Sequence, residues 1–512
     1  MPSYNGKTTP IWSNDTSPHP RPPAPLPGEA ADVCVIGAGI AGTTVAYLLA
    51  AEGKSVIVLD QSEWPQGETT RTSAHLSSIF DDRFYDIERQ YDVEVARTLY
   101  ESHSAAIDRI EQIARDENID CEFRRCNAYL FPGPFEEGDE LFKEFAAMRR
   151  IGVDATLVDA VPATDAGKAI LARRQGAFHP QKYLNGLIAA AERRGVRFYF
   201  GKRVEDVTGA EPQFSKPARV TLYGGGETIN ARHVVVATNT PTPINDWLGI
   251  YIKQAAYRTY MVGLEIPAAS LPFALYWDTH DPYHYVRLKS GASTGTDVLL
   301  IGGEDHKTGQ TGADEQRFVE IAKWARRIFP QAGAEVSRWS GQVQEPADGI
   351  AFIGRAKTAN ENVYVITGDS GMGLTHGTLG AILVTDQISG RANPWESVYD
   401  PGRKIKNAEI VSEAMNTNKQ YLDYITAGEI SSETELAPGE GGLMRDGLSK
   451  LAVYRDEAGA LHKRSAVCPH LNCIVHWNGI EKSWDCPCHG SRFTCTGELI
   501  TGPASHDLKK LE

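Results

Sequence analysis

The chain has 512 residues, 41% hydrophobic and 23% charged, a globular composition too long for one simple core, so two or three folding units are expected. Its formal net charge of −14 argues against nucleic acid and anionic membrane as partners. Met1 to Gly6 lacks a basic segment leading into an apolar stretch, and the most apolar run, Ala31 to Ala51, is broken by Gly37, Gly39 and Gly42. Neither a signal peptide nor a transmembrane segment is expected, and a cytoplasmic location is.

Residues 1–29 are polar, with prolines at 18, 20, 22, 23, 25 and 27. Proline fixes φ and removes a donor, so an extended arm is expected and not a packed element. From Asp32 the pattern is strand (Val33 to Ile36), glycine turn, helix (Ala41 to Ala51) and strand (Val56 to Leu59). In Gly37-Ala38-Gly39-Ile40-Ala41-Gly42 the first glycine permits the tight turn, the second lets backbone approach a pyrophosphate, and the third permits close helix–strand packing. The helix N-terminus offers N–H groups to phosphate. Asp60 ends the second strand, 18 residues after Gly42, where a carboxylate can accept from ribose hydroxyls.

Further along, residues 86–118 carry apolar positions at helical spacing, and Tyr183 to Arg194 reads as a helix feeding a strand from Val196 to Phe200. Buried strands are expected at Val234 to Ala237 and at Val363 to Thr367. The second is followed by a glycine-rich turn and a helix from Thr378 to Ile388. Residues 396–425 read as a linker, and short strands with glycine-rich turns follow.

Four segments together resemble the D-amino-acid-oxidase-like family of FAD oxidoreductases: the glycine fingerprint, Gly67 to His75 (GETTRTSAH), Val234 to Thr240 (VVVATNT) and Gly368 to Thr375 (GDSGMGLT). The resemblance implies an α/β FAD-binding Rossmann-like domain with an inserted α+β substrate domain over residues 30–395. The FAD-binding parts would be about 30–85, 176–245 and 340–395, and the inserted parts about 86–175 and 246–339. FAD would lie against Gly37, Gly39, Ile40, Ala41, Gly42, Asp60 and Gln61, then Thr69, Arg71, Thr72 and His75, then Val204, Ala237 and Thr238. The turn Gly371, Met372, Gly373, Leu374 and Thr375 would reach the flavin ring. No cysteine stands where covalent members attach flavin, so non-covalent FAD is implied, although His75 is a candidate for contact or linkage. Only one G-x-G-x-x-G follows a strand, so electrons are expected from an organic substrate and not from a nicotinamide.

Five of the eight cysteines crowd into the last tenth of the chain, which points to a metal site. Cys468-Pro-His470 is followed, after 15 residues, by Cys486-Pro-Cys488-His489. Two thiolates and two imidazoles suit a Rieske [2Fe–2S] centre, with Cys468 and Cys486 on one iron and His470 and His489 on the other; a Cys₂His₂ zinc site needs the same residue types. The flanking sequence, CPHLNC and CPCHGS, resembles the two cluster loops of Rieske proteins of the cytochrome bc type, favouring the cluster and a small all-β Rieske domain at 426–512. That resemblance also implies a disulfide between Cys473 and Cys488, a hydrogen bond from Ser491 to the cluster, and a covering loop at Gly502-Pro503. Phe493 and Asn472 depart from the tyrosine and glycine of high-potential members, which implies a potential below about +300 mV, the top of the Rieske range. Cys495 is expected to be a packed thiol. A Rieske oxygenase would need a mononuclear iron site in a following domain; 23 residues follow His489, so that reading is not expected.

The substrate site is the least legible. Tyr283, Tyr285 and Arg287 alternate and would share one strand face, with Arg287 able to pair a carboxylate, although an aromatic strand with a surface arginine is an equal reading. Arg258 and Tyr260 form a similar pair. Trp339, Gln342 and Asp348 lie where the family approaches the flavin, and His376 adjoins the glycine-rich turn. The expected reaction is FAD-dependent oxidation of an amine or amino acid, a hydride passing from the α-carbon to flavin N5. Electrons would then leave singly through the cluster to an external acceptor, a protein, a quinone or O₂. Two alternatives stand beside it: an O₂-using oxidase whose Rieske domain is mainly structural, and a relay fed by a partner flavoprotein.

Overall fold

The segment from Ala30 to Leu59 forms the expected strand–helix–strand unit in the computed structural model, which describes residues 6–15, 30–133, 139–211, 213, 215–240, 249–291, 295–310, 315–356, 361–405, 420–424, 426–447 and 449–511. Strands Ala30–Ile36 and Val56–Leu59 pair in parallel, and Thr228–Asn239 flanks the first on its other side. With both faces covered by packed elements, their buried residues run continuously, as parallel strands require. The order of this sheet is Phe352–Arg355, Val363–Thr367, Thr228–Asn239, Ala30–Ile36, Val56–Leu59, Arg197–Tyr199.

A second sheet of nine strands is largely antiparallel. One end is built from the long strands Glu335–Pro346, at the edge, Gln254–Pro267 and Thr296–Lys307, continued by His284–Ser290 and Ala274–Asp278. The C-terminal part holds a three-stranded sheet, Glu440–Asp446 to Leu461–Ser465, and a four-stranded one, His476–Asn478 to Leu499–Thr501.

Three elements differ from expectation. The helix after the glycine-rich turn spans Gly373–Ile388, starting five residues before the expected Thr378. Its glycines belong to the helix because neighbours crowd it: a Cβ on Gly380 would sit 2.9 Å from Ile366, and one on Gly377 3.1 Å from Ile40. The N-terminal arm is packed at residues 6–13, where Trp12 is fully buried and its Nε1 donates to the Thr72 carbonyl at 2.8 Å; the proline run at 18–27 lies outside the described residues. The expected linker begins as packed structure. Helix Glu396–Tyr399 buries Tyr399, and Arg403 pairs with Asp348 at 2.8 Å; residues 406–419 lie outside the described residues.

Candidate functional site

A cavity of about 290 Å³ opens where the first parallel strands end. It is lined by Gly37, Gly39, Ile40, Ala41, Asp60 and Gln61, by Thr69, Arg71, Thr72, His75, Val204, Ala237 and Thr238, and by Gly371, Met372, Gly373, Leu374, Thr375 and His376. Gly42 is not in the lining. A Cβ there would lie 2.0 Å from the Gly37 carbonyl oxygen, so it packs helix against turn. Gly37 has φ +103°, and a Cβ on it would meet the Ala237 carbonyl at 2.4 Å.

These features suit a dinucleotide. Helices Ile40–Ala51 and Gly373–Ile388 both begin at the cavity, and neither N-terminus is capped by its N-cap side chain, leaving two positive dipole ends facing it. Asp60 holds the turn by accepting from Ala38 N at 2.7 Å and Ser62 N at 2.8 Å. Each oxygen keeps further acceptor capacity for a ribose hydroxyl.

Beyond the glycine-rich turn the cavity is walled by Tyr283, Tyr285, Trp277 and His75, with Asp81 and Asp305 among them. The Tyr283 and Tyr285 rings lie 5.8 Å apart, and Tyr285 Oη is 2.7 Å from Thr259 Oγ1. Burial, and then the charge of Arg287, pull His75 down to about 3, so its ring is neutral. Burial pushes Asp81 and Asp305 up to about 7.

The structure corrects three expected substrate residues. Arg287 is buried with its guanidinium on the carbonyls of Ala74 and Phe178, both at 2.9 Å, and it does not line the cavity. Arg258 is also buried, bound to Ser340 Oγ and, at 3.2 Å, to Glu481. Tyr260 is buried with its ring stacked on His306, away from the cavity. Arg287 satisfies backbone, Arg258 joins an ion pair and Tyr260 packs a core; a buried cation takes whichever acceptor the fold brings to it. Trp339 and Asp348 are structural too: the indole donates to Arg71 O and the carboxylate holds Arg403.

In the C-terminal part, Cys468 and Cys486 are free and buried, their Sγ atoms hydrogen-bonded to each other. The rings of His470 and His489 lie 5.0 Å apart. Burial, and then His470 beside it, pull His489 down to about 3, so it presents a neutral imidazole, the form a metal takes. Cys473 and Cys488 lie next to this group and are joined in a disulfide, which removes them as thiolate ligands. The donor set left is two thiols and two imidazoles, the set a Rieske cluster requires. Ser491 hydrogen-bonds Cys468 and accepts from Ala504 N at 3.0 Å. Phe493 is fully buried, and Cys495 is only partly buried.

The two sites share a wall. Leu499, Ile500, Thr501, Gly502, Ala504 and Ser505 all line the cavity, and Gln61 Nε2 donates to Ile500 O at 2.5 Å. Gln342, on the cavity wall, donates to Gly490 O at 3.0 Å. Tyr251 sets its ring edge-on to both histidines, at 5.4 and 5.3 Å. A buried ion cluster anchors the contact: Glu481 accepts from Arg71 at 2.7 Å and from Arg258, with Ser340 and Thr8 also bonded to it. Burial pushes Glu481 up, but Arg71, Arg258 and Arg492 outweigh it and bring it down to about 2. Sequence reasoning missed Asp81, Asp305, Trp277, Tyr251 and Glu481. Asp81-Asp82 directly follow the apolar pair Ile79-Phe80, a faint sign of acid at a buried position; nothing local marks the others.

Residues 32–387 match the family model described as FAD dependent oxidoreductase, and residues 428–512 match the Rieske [2Fe-2S] domain. The chain is 29% identical over 507 residues to the Bacillus subtilis (strain 168) protein YhfW, whose name places it among Rieske 2Fe-2S iron-sulfur proteins; 98% of this chain and 97% of that one are covered. It is 26% identical over 386 residues to gamma-glutamylputrescine oxidoreductase of Escherichia coli (strain K12), covering 72% of this chain and 85% of that one. Among solved structures, glycine oxidase from Geobacillus kaustophilus superposes with a TM-score of 0.63 at 17% identity, over 74% of this chain and 100% of that one, a likeness of fold. Among the described residues no helix is long and apolar enough to cross a membrane.

Proposed function

We propose, from the premise that the chain belongs to the family of FAD-dependent oxidoreductases and carries a Rieske [2Fe–2S] domain, that it oxidises an amine and passes the electrons singly through the cluster to an external acceptor. The observation that carries this reading is the shared wall: residues of the Rieske domain line the same cavity as the glycine fingerprint. FAD supplies a two-electron acceptor when bound there, and the cluster a one-electron carrier.

The chain's own residues bind, orient and exclude water. Gly37, Gly39 and the start of helix Ile40–Ala51 would hold the pyrophosphate, and Asp60 a ribose. Gly371 to Thr375 would bring backbone against the ring. Cys468, Cys486, His470 and His489 would hold the cluster. Tyr283, Tyr285 and Trp277 form an apolar wall with polar tips, suited to pressing an uncharged amine against the ring while shedding water. In the overall reaction the amine loses two electrons and two protons to become an imine, and water then splits the imine into a carbonyl compound and an amine or ammonia. Two single-electron transfers to the acceptor balance each turnover.

The test is an anaerobic visible spectrum of the holoenzyme mixed with amines and amino acids. Bleaching of the flavin bands followed by reduction of the cluster supports the reading. Cys486→Ser, which removes a cluster ligand, should leave flavin bleaching intact and stop reduction of the acceptor; unchanged acceptor turnover would remove the cluster from the route.

A further inference from the structure

Lysine and arginine stand beside Asp60 at the cavity's nucleotide end and give way to carboxylates alone at the other. At its nucleotide end stand Lys202 and Arg203, the second paired with Asp507 at 2.6 Å. At its other end, past Gly371, stand Asp81 and Asp305. Asp81 accepts from the Tyr283 hydroxyl, and its Oδ2 lies 2.8 Å from where a Cβ on Gly371 would be. Asp305 is hydrogen-bonded to Thr259 through one oxygen, while its Oδ1 is shut off from water and has no hydrogen-bond partner among the described residues. Glu345 and Asp369 add their fields from close by.

Among the described residues, no cation in this half balances them from within the cavity. Arg287, Arg258 and Arg71 are spent on backbone carbonyls or Glu481. Arg83 and Arg317 approach from outside the lining, and each is held by a carbonyl, that of Asp278 at 3.4 Å and that of Glu304 at 2.9 Å. A carboxylate on the substrate would therefore meet two carboxylates in a poorly solvated site and no guanidinium, an arrangement that rejects it.

Resting on the amine-oxidation reading above, we propose that the substrate is an amine carrying a second cationic group and no carboxylate beside the reacting carbon, the second cation being held by Asp305 and Asp81. A second cation ion-pairs with the Asp305 and Asp81 carboxylates where they line the cavity, gaining charge-assisted hydrogen bonds. Trp277, Tyr283 and Tyr285 suit an alkyl chain bearing a positive charge. Division of labour follows: the anchored nitrogen stays charged, and the other is neutral when it reacts. The C–H bond beside the neutral nitrogen breaks, its electron pair and hydrogen passing to FAD; that nitrogen loses a proton to water, and the imine is hydrolysed.

The experiment is a pair of titrations of anaerobic holoenzyme with 1,5-diaminopentane, pentylamine, glycine and proline, one followed by calorimetry and one by flavin absorbance. The diamine should bind about tenfold or more tighter than pentylamine and than either amino acid, a difference worth one charge-assisted hydrogen bond. Asp305→Asn, checked for unchanged FAD and iron content, should erase that preference. Tighter binding by an amino acid, no binding by the diamine, or a preference untouched in Asp305→Asn overturns the proposal. The two readings fail separately. Bleaching by glycine or proline with weak diamine binding removes the cationic substrate and keeps the oxidation. Tight diamine binding without bleaching keeps the recognition and removes amine oxidation.

Discussion

Gln342 Nε2 donates a 3.0 Å hydrogen bond to the main-chain carbonyl of Gly490, so a residue on the wall of the flavin cavity touches the loop that carries His489. Its backbone N–H is held in turn by Glu68 Oε2 at 2.8 Å, which fixes the side chain's direction. This is a hydrogen-bonded bridge between the two sites. Gln342→Leu leaves the Gly490 carbonyl unsatisfied, at about 1–3 kcal/mol. Stopped-flow absorbance should show flavin bleaching at the wild-type rate and slower reduction of the cluster. Equal slowing of both phases would place Gln342 in the substrate site instead.

Glu481 joins the Rieske domain to the flavin wall. Glu481→Gln leaves Arg71 and Arg258 buried without their counter-charge, and removing one member of a buried ion cluster costs about 3–5 kcal/mol. The expected outcome is faster proteolysis between the two parts and slower electron transfer, with each cofactor still bound. The same group makes the contact acid-sensitive. Its carboxyl lies below the unfolded value of about 4.3, at about 2, so its contribution is present above the unfolded value and is lost as pH falls through the folded one. Small-angle scattering across that window should show the two parts separating; a compact particle throughout would sink the idea.

Binding of a diamine should strengthen as pH rises through about 7. Burial holds Asp81, Asp305 and Asp369 up to about 7 and Glu345 up to about 8, so they are largely protonated below that and ionise above it. The ligand's own nitrogens stay charged to about 10. Asp82 and Glu304 also face this group, as do Arg83, Arg317 and His284; His284 is itself raised by Asp278 and Glu304, which outweigh its burial. Affinity should change by up to about tenfold per pH unit for each proton released. Calorimetry in buffers of different ionisation heat counts those protons; no proton release near neutrality contradicts the assignment.

The Cys473–Cys488 disulfide spans 15 residues and clamps the two ligand loops. Closing a loop of about 15 residues is worth about 3 kcal/mol. Replacing both cysteines by serine should lower the temperature at which cluster absorbance is lost and leave the temperature of FAD release unchanged. Loss of both together would mean that the loops are held chiefly by the interdomain contact.

Chemistry written in short, contiguous spacing is legible in the sequence alone. The glycine fingerprint with Asp60 folds within one strand–helix–strand unit, and the Cys-x-His and Cys-x-Cys-His motifs each within one loop, so local sequence carries their geometry. The second tyrosine of Tyr283-His-Tyr285 reaches the cavity as the strand period requires, for the same reason.

The arginines are not legible in this way, because a guanidinium takes its role from whichever acceptor the fold brings to it. Arg258 meets Glu481 across 223 residues and Arg71 meets it across 410, distances at which sequence spacing carries no information. Arg287 lies on the expected strand face but at a depth where backbone carbonyls and the Trp12 ring take its guanidinium. The sequence by itself determined which cofactors the chain is built for, since their ligands sit in local motifs. Only the tertiary structure decided that the Rieske domain forms part of the flavin cavity's wall, and that this cavity's far end is acidic. Both follow from the packing of segments distant in the chain, where burial and unpaired charge are set by neighbours no local pattern names.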